Sequence, residues 1–212
     1  MDAQGDQPAA GSYSRAERIV LGPFRRGMAV VLSPVVAALA RLGAPPTAVS
    51  LSQIPIGFAA AALIMHAPRV ALALFVGTLV LDAIDGALAR KTGRESAFGA
   101  LADQVSDHIR EITFVGGLVA AGAMRGEIGV AYALLYPLVN FMLYAANRYG
   151  AEVPLAVKTW MSFYPFLLIY LAFEINWLDY AGAVSAGFMA ATSIAALVLM
   201  RHRMNADDLS TD

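Results

Sequence analysis

Four aspartates lie within 26 residues of the chain, between two strongly apolar stretches. Asp82 and Asp85 come at the end of the first stretch, and Asp103 and Asp107 come at the start of the second. The polar turn KTGRES separates the two pairs. Unpaired charge is costly beside apolar segments, so acids in such a place indicate a functional site. Carboxylates that converge there repel one another unless a cation joins them.

Helical spacing predicts that the four carboxylates do converge. At about 100° per residue, the first helix places five residues within an arc of roughly 140°. They are Asp82, Asp85, Gly86, Ala89 and Arg90. The second helix places Gly99, Asp103 and Asp107 within an arc of roughly 80°. An antiparallel helix pair would therefore direct all four acids at one site, and Gly86 and Ala89 leave room there for a close approach to the backbone.

The ligand type predicts which ion such a site would hold. Oxygen-only ligands select a hard divalent cation, Mg²⁺ or Mn²⁺, as one ion or as two. Mg²⁺ usually works together with phosphates, and Arg90 on the same helix face suits a phosphate or a nucleotide. The residues predict a metal-dependent site for a phosphorylated substrate. The alternative is a set of interfacial acids neutralised by nearby basic residues, namely Arg90, Lys91, Arg94 and Arg110.

Composition predicts a membrane protein that crosses the bilayer several times. Of the 212 residues, 58% are hydrophobic and 15% are charged, and mean hydropathy is +0.61. Soluble domains carry about 25% charged residues. The apolar residues form six candidate spans of about 20 residues. The predicted spans are about Thr47–His66, Arg69–Arg90, Phe98–Gly122, Ile128–Asn147, Lys158–Glu174 and Tyr180–Met200.

The segments outside the spans complete the predicted organisation. Residues 1–14 are small and polar and are expected to be disordered. Residues 15–44 contain Pro23, Pro34 and several arginines, which favours one or two amphipathic helices on the membrane surface rather than a span. Residues 45–204 form the six-helix domain, and residues 205–212 form a polar C-terminal tail. The fold class is therefore all-α and integral to the membrane, with six transmembrane helices and an N-terminal amphipathic surface helix.

The distribution of lysine and arginine predicts the orientation. With the N-terminus inside, twelve basic residues flank the spans on the cytoplasmic side and two, Arg69 and Arg125, lie outside. This bias predicts cytoplasmic termini and a cytoplasmic site, in the inner membrane of the cell. The net charge of −1 gives no indication of nucleic-acid binding. Absence of cysteine excludes disulfides, thiolate metal sites and a cysteine nucleophile.

The same eight residues carry a resemblance to a known family. The pattern Asp82-x-x-Asp85-Gly86-x-x-Ala89-Arg90, then eight residues, then Gly99-x-x-x-Asp103-x-x-x-Asp107 is similar to the signature of the CDP-alcohol phosphotransferases. The resemblance covers roughly residues 15–204 and includes the six spans. It implies transfer of a phosphate-linked group from a CDP-alcohol to a second alcohol, with release of CMP and with a divalent metal. Members are often homodimers, so a homodimer is expected.

The resemblance also implies roles for the individual residues. Asp82, Asp85 and Asp103 look like metal ligands that hold the CDP pyrophosphate. Asp107 looks like the general base for the acceptor hydroxyl and like a ligand of a second metal. The CDP-binding face implied by the family comprises Asp82, Asp85, Gly86, Ala89, Arg90 and Gly99. The donor is then a CDP-lipid, such as CDP-diacylglycerol or its ether analogue, and the reaction belongs to phospholipid biosynthesis.

The acceptor is the least determined part of the prediction. A phosphorylated acceptor needs cations near Asp107, and Arg110, Arg148 and Lys158 are the candidates. The pair Lys158-Thr159 looks like one in phosphatidylglycerol-phosphate synthases, and this favours glycerol 3-phosphate slightly over inositol phosphate. Membrane anchoring is the alternative role for Arg148 and Lys158. A membrane cation transporter that uses the aspartates as an ion site is the alternative function, although such sites usually lie nearer the bilayer middle.

Overall fold

The described part of the chain, residues 15–151 and 153–209 of a computed structural model, is entirely helical and contains no strand. It comprises eight helices, which are α1 (Arg15–Arg41), α2 (Pro46–Leu63), α3 (Pro68–Thr92), α4 (Ala97–Ala120), α5 (Gly126–Arg148), α6 (Thr159–Ser162), α7 (Tyr164–Phe173) and α8 (Leu178–Leu209). The N-terminal segment predicted to be disordered, residues 1–14, lies outside the described residues.

Helices occur at all six predicted spans, and four of them are long and apolar enough to cross a membrane. These four are α2, α3, α5 and the segment Leu178–Asn205 of α8. Helix α4 has 24 residues, which is ample length. Its C-terminal 18 residues, however, contain Asp103, Asp107, Arg110 and Glu111, so its composition is less apolar. The charged residues near the site therefore make α4 less apolar than an ordinary membrane-spanning helix.

The fifth predicted span, Lys158–Glu174, is not one helix. It divides into the short helix α6 and the ten-residue helix α7, with a break at Phe163. Pro165 follows the break directly, and proline fits the first turn of a helix because it has no N–H to donate further back. At its other end α7 stops at Glu174, which takes a left-handed conformation with φ of 62°. The fifth predicted span therefore consists of two helices separated by a break.

Helix α1 is one continuous helix through Pro23 and Pro34. Its C-terminal half packs on α3, where Val36 forms a small core with Ile84 and Leu88. Those two α3 residues flank Asp85, so α1 supports the back of the helix face that carries the acids. The C-terminal segment predicted as a polar tail is helical as far as Leu209, where it continues α8.

Helix α2 lies between α3 and α4. Both helices pack chiefly on α2 rather than against each other, which differs from the direct antiparallel pair that the sequence predicted. The acidic side chains occupy the faces that would otherwise meet, while α2 offers small residues that allow close packing. A Cβ at Gly117 of α4 would stand 2.9 Å from the Cβ and the carbonyl oxygen of Ala61, so the two backbones nearly touch.

The remaining helices enclose an apolar core. Helix α5 packs on α8 and α4, and α7 packs on α3. Phe75 packs on Phe114 in a tilted arrangement with ring centroids 4.4 Å apart, and it meets the ring of Tyr164 edge-on at 5.3 Å. These contacts join α3, α4 and α7. This core fixes the helices that carry the acidic residues.

Candidate active site

Three of the four aspartates form a compact carboxylate cluster. Asp82, Asp85 and Asp103 each offer an oxygen, and these oxygens all lie within 4.8 Å of one another. Asp85 is 4% exposed, and a buried oxygen of Asp103, Oδ1, has no hydrogen-bond partner among the described residues. Oxygen ligands at about 2.0–2.6 Å from one cation stand at such mutual distances. The residues therefore fit a hard divalent cation.

A cleft of about 200 Å³ opens beside this cluster. Six of the eight residues singled out in the sequence line it, namely Asp85, Gly86, Ala89, Arg90, Gly99 and Asp103. The rest of its wall comes from the start of α2 and from the α3–α4 loop, including Thr47, Ser50, Arg94 and Ser96. The cleft thus joins the acidic cluster to a rim that carries Arg90, Arg94 and Glu95. Carboxylates for a metal with arginines nearby suit the binding of a diphosphate.

The two glycines of the cleft make room for specific side chains. The guanidinium of Arg90 lies over Gly86, where a Cβ would stand 3.4 Å from Nη1. At Gly99 a Cβ would stand 3.1 Å from Ser96 Oγ. Ser96 is the N-cap of α4 and accepts a hydrogen bond from the Gly99 N–H at 3.0 Å, which fixes where α4 begins. The glycines therefore keep the cleft open at its basic side.

Asp107 stands apart from the three-carboxylate cluster. It lies one helical turn deeper than Asp103, and its Oδ1 is 2.8 Å from Nη1 of Arg110. Arg110 is 3% exposed and also donates to Oε1 of Gln53 at 2.5 Å. The opposite side of the same Gln53 amide donates to Oδ2 of Asp85 at 3.4 Å. A buried chain of polar contacts thus links the cluster to Asp107.

A second buried acid follows Arg110. Glu111 is 1% exposed, and it accepts hydrogen bonds from the hydroxyls of Tyr132 at 2.6 Å and Tyr164 at 2.7 Å. These bonds tie α4 to α5 and α7. A buried carboxylate needs such partners, because its desolvation is otherwise uncompensated. Glu111 therefore connects three helices through hydrogen bonds, a role that its position in the sequence did not reveal.

The three cations predicted near the acceptor are not brought together. Arg110 is enclosed by Gln53 and Asp107, as described. Arg148 is exposed in the last turn of α5. Lys158 is half-buried at the N-cap of α6 and lies close enough to His108, the neighbour of Asp107, to interact with it electrostatically. Of the three, Lys158 is thus the one placed to act near Asp107 while remaining partly open.

Helix α2 supplies site residues that sequence reasoning missed. Thr47 and Ser50 line the cleft, and Gln53 contacts both Asp85 and Arg110. Gln53 is fully buried. The available signal was its type, since an amide within an apolar span must find polar partners. Those partners are 32 and 57 residues away in sequence, so the spacing itself could not identify them.

The described residues form an all-helical protein with apolar helices long enough to cross a membrane and with a carboxylate cluster that could hold a divalent cation. The sequence profile of the CDP-alcohol phosphatidyltransferase family matches residues 44–200. The chain belongs to this family, whose members are transferases with a CDP-alcohol donor and an alcohol acceptor.

Curated relatives match shorter parts of the chain. An archaetidylinositol phosphate synthase of Aeropyrum pernix is 37% identical over 43% of this chain and 48% of its own length. A second protein of that name, from Pyrococcus horikoshii, is 40% identical over 23% of this chain and 26% of its own. A phosphatidylinositol phosphate synthase of Mycobacterium marinum is 32% identical over 53% of this chain and 51% of its own. The matches thus span about half of the relatives' length or less.

Proposed function

We propose that this protein transfers the phosphatidyl-type group of a CDP-lipid to a phosphorylated polyol and releases CMP. The observation that carries the proposal is the cleft lined by two of the family's aspartates, Asp85 and Asp103, together with its glycines and Arg90. Family membership supports this enzyme over the alternative of a cation transporter. In the reaction, the acceptor oxygen forms a bond to the phosphorus of the lipid phosphate, the bond from that phosphorus to CMP breaks, and the acceptor's hydroxyl proton leaves.

The residues of the cleft divide the work of binding the donor. Asp82, Asp85 and Asp103 would hold a divalent cation, Mg²⁺ or Mn²⁺, with Asp107 as a ligand if a second ion is present. When bound, the cation offsets the negative charge of the diphosphate and of the leaving CMP. Arg90, folded over Gly86 at the rim, supplies a planar donor for phosphate oxygens. Ala89 and Gly99 leave the floor of the cleft open for the nucleotide.

Asp107 is proposed to act on the acceptor. Its carboxylate takes the proton of the acceptor hydroxyl as the new bond to phosphorus forms. The side chain needs only hydrogen-bond reach to that hydroxyl, and no covalent intermediate is required. Arg110 holds the carboxylate in place at 2.8 Å. Asp107 lies one turn further along α4 than the cleft residue Asp103. The acceptor hydroxyl would therefore be bound on the Asp107 side of the carboxylate cluster.

For the acceptor, inositol phosphate is proposed ahead of glycerol 3-phosphate. All three relatives carry inositol phosphate in their names. This reverses the preference for glycerol 3-phosphate that the pair Lys158-Thr159 favoured in the sequence. A cation that binds the phosphate of the acceptor is still required. Lys158 and Arg148 are proposed for that role. Arg110 is withdrawn from it, because its guanidinium is buried and engaged by Gln53 and Asp107.

The membrane arrangement is also a proposal. Six spans are supported by the alternation of the helices: the α2 start, the α3 end and the α4 start line one cleft, while the α2–α3 and α7–α8 loops meet at the opposite end. The residues 45–204 form the bundle, α1 lies on the membrane surface, and the cleft opens to the cytoplasm at the inner membrane. A homodimer is expected from the family.

The experiment that tests the proposal measures CMP release by purified protein in detergent. A CDP-lipid would be supplied with Mg²⁺ or Mn²⁺ and with inositol phosphate, glycerol 3-phosphate, free inositol or serine as the acceptor. We expect CMP release that depends on metal and is fastest with inositol phosphate. Preference for free inositol or serine would contradict the phosphorylated acceptor. Absence of CMP release with every acceptor would contradict the proposed activity.

A further inference from the structure

The amide of Gln53 has only one orientation that satisfies both neighbours. An ionised carboxylate only accepts hydrogen bonds and a guanidinium only donates them. Gln53 therefore turns its Nε2 to Asp85 and its Oε1 to Arg110, as the structure shows. Reversing the amide would put two acceptors together on one side and two donors together on the other. Gln53 thus fixes the head of the Arg110 side chain by offering it an acceptor in one definite place.

Gly57 fixes the stem of the same side chain. It lies one turn after Gln53 on α2, where a Cβ would stand 3.1 Å from Cγ of Arg110 and 3.4 Å from its Cα. A contact at 3.1 Å forces a neighbouring side chain to give way, and the interior around Arg110 is closely packed. A larger residue at this position would displace the stem of Arg110 from the course along α2 by which it reaches Asp107.

We propose that Arg110, seated by Gln53 and Gly57, is a positioning residue that holds Asp107 apart from the three-carboxylate cluster. The role of Asp107 on the acceptor rests on the proposed function, whereas the restraint itself does not. A buried guanidinium neutralises the carboxylate beside it, and breaking such an ion pair is energetically costly. A cation at the cluster would otherwise attract Asp107, because a nearby unpaired carboxylate is a good ligand. The ion pair therefore keeps Asp107 away from an ion bound by the other three aspartates and leaves its carboxylate able to take the proton of the acceptor.

The first test measures Mn²⁺ binding by electron paramagnetic resonance on purified Arg110→Met protein. Methionine keeps the approximate length of the side chain and removes the charge. We expect affinity for Mn²⁺ to rise at least about threefold, because a repelling charge is lost and Asp107 is released toward the cluster. Affinity that is unchanged or lower would overturn the proposal. Loss of the Arg110 charge would by itself also raise affinity for Mn²⁺, so the second test, in which no charge changes, decides whether Asp107 is released toward the cluster.

The second test uses Gly57→Ala, which changes no charge and removes neither partner of the buried ion pair. Its matched control is Gly77→Ala on α3, where a Cβ has nothing within 4 Å. We expect Gly57→Ala to bind Mn²⁺ more tightly than Gly77→Ala, by a smaller factor than in Arg110→Met. We also expect its kcat for CMP release to fall at least about fivefold, while the acceptor's KM stays within about twofold.

The outcomes separate this proposal from the proposed function. A raised acceptor KM with unchanged kcat in Gly57→Ala would mean that Arg110 binds the acceptor phosphate, and would overturn the positioning role. If the wild-type protein releases no CMP, the proposed function fails, and Mn²⁺ binding by the two variants still decides whether Arg110 restrains Asp107. Equal Mn²⁺ affinities in Gly57→Ala and Gly77→Ala would count against that restraint.

Discussion

At the scale of single residues, the four aspartates are not equivalent. Asp82, Asp85 and Asp103 bring oxygens within 4.8 Å of one another, whereas Asp107 is paired with Arg110. Three acids that share one small space are held there against their mutual repulsion, which a bound cation relieves. The fourth already has a cation of its own from the protein. The local charges therefore favour metal binding at the trio and a proton-handling role at Asp107.

This division predicts different defects for different aspartates. Asp103→Asn removes a charged metal ligand, so affinity for metal and for the CDP-lipid should fall together, each by at least about tenfold. Asp107→Asn should reduce kcat at least about a hundredfold and leave CDP-lipid binding within about tenfold, because a base acts on the acceptor in the transition state. Titration of the donor and single-turnover rates measure the two quantities. Near-normal turnover of Asp107→Asn would show that the base is another group.

The cations near the α5–α6 loop predict a defect confined to the acceptor. Lys158→Ala should raise the KM of a phosphorylated acceptor about tenfold to a hundredfold, since a charge-assisted hydrogen bond to phosphate contributes about 1.5–3 kcal/mol. Arg148→Ala should raise it less, because Arg148 is exposed. Arg69→Ala, at the opposite end of the bundle, is the matched control. An unchanged acceptor KM in both variants would leave these residues as membrane anchors.

The sequence predicted that four carboxylates converge, and the structure brings together Asp82, Asp85 and Asp103 while Asp107 pairs with Arg110. The grouping of the trio follows from helical periodicity within α3 and α4. The sequence did not predict Gln53 or Glu111. Both are single polar residues whose partners lie on other helices, so no local spacing records the contact. It also left Arg110 open between an ion pair and substrate binding. Packing against Gly57, which only the assembled bundle shows, decides that the side chain is enclosed.

At the scale of helices, α2 determines how α3 and α4 present their acids. Its small residues allow α4 to approach at Gly117, and its polar residues Ser50 and Gln53 face the site. In a membrane, lipid tails are as apolar as the helices, so close packing of small residues is a main source of helix association. The separation of α3 from α4 leaves the space that the cleft occupies. The helix before the acidic motif is therefore part of the site.

Two adjacent glycines of α4 provide a test of this packing. Gly117→Ala would place a Cβ 2.9 Å from the carbonyl oxygen of Ala61, and backbone cannot move aside as a side chain does. We expect it to lower stability by about 1–3 kcal/mol, the usual cost of overpacking. Gly116→Ala meets nothing within 4 Å and should be neutral or slightly stabilising. Thermal unfolding in detergent compares the two. Equal melting temperatures would contradict the close α2–α4 contact.

The helix boundaries themselves were largely predictable. Prolines and glycines mark them: α2 and α3 begin at Pro46 and Pro68, and α3 ends at Gly93, whose φ of 64° suits glycine. The fifth span was wrong as a single helix, because hydropathy alone does not register the break before Pro165. The order of packing was also hidden from the sequence. Neighbours along the chain were expected to pair, but α2 comes between α3 and α4.

At the scale of the whole molecule, the helices run between two ends of different character. The cleft end carries Arg90 and Arg94, and Arg203 of α8 lies beside Gly150 of the α5–α6 loop. The opposite end is held by contacts between loops: Asn176 donates to the carbonyl of Ala123, and the Arg125 N–H donates to Asp179. An excess of basic residues marks the cytoplasmic side of membrane proteins. The cleft end is therefore expected to face the cytoplasm, where a water-soluble acceptor and CMP are handled.

Labelling of single cysteines in intact cells tests this orientation, and the chain offers a clean background because it has no cysteine. Ala97→Cys places a thiol at the exposed start of α4, beside the cleft, and Gly126→Cys places one at the exposed start of α5, at the other end. With an impermeant thiol reagent outside the cell, we expect Gly126→Cys to react and Ala97→Cys to be protected. Permeabilised cells are the control, in which Ala97→Cys should react as well. Reaction of Ala97→Cys in intact cells would reverse the orientation, and it would place the cleft on the side of the membrane away from the cytoplasmic nucleotide pool. The chemistry proposed for the aspartates would then lack its donor, although the carboxylate cluster could still hold a cation.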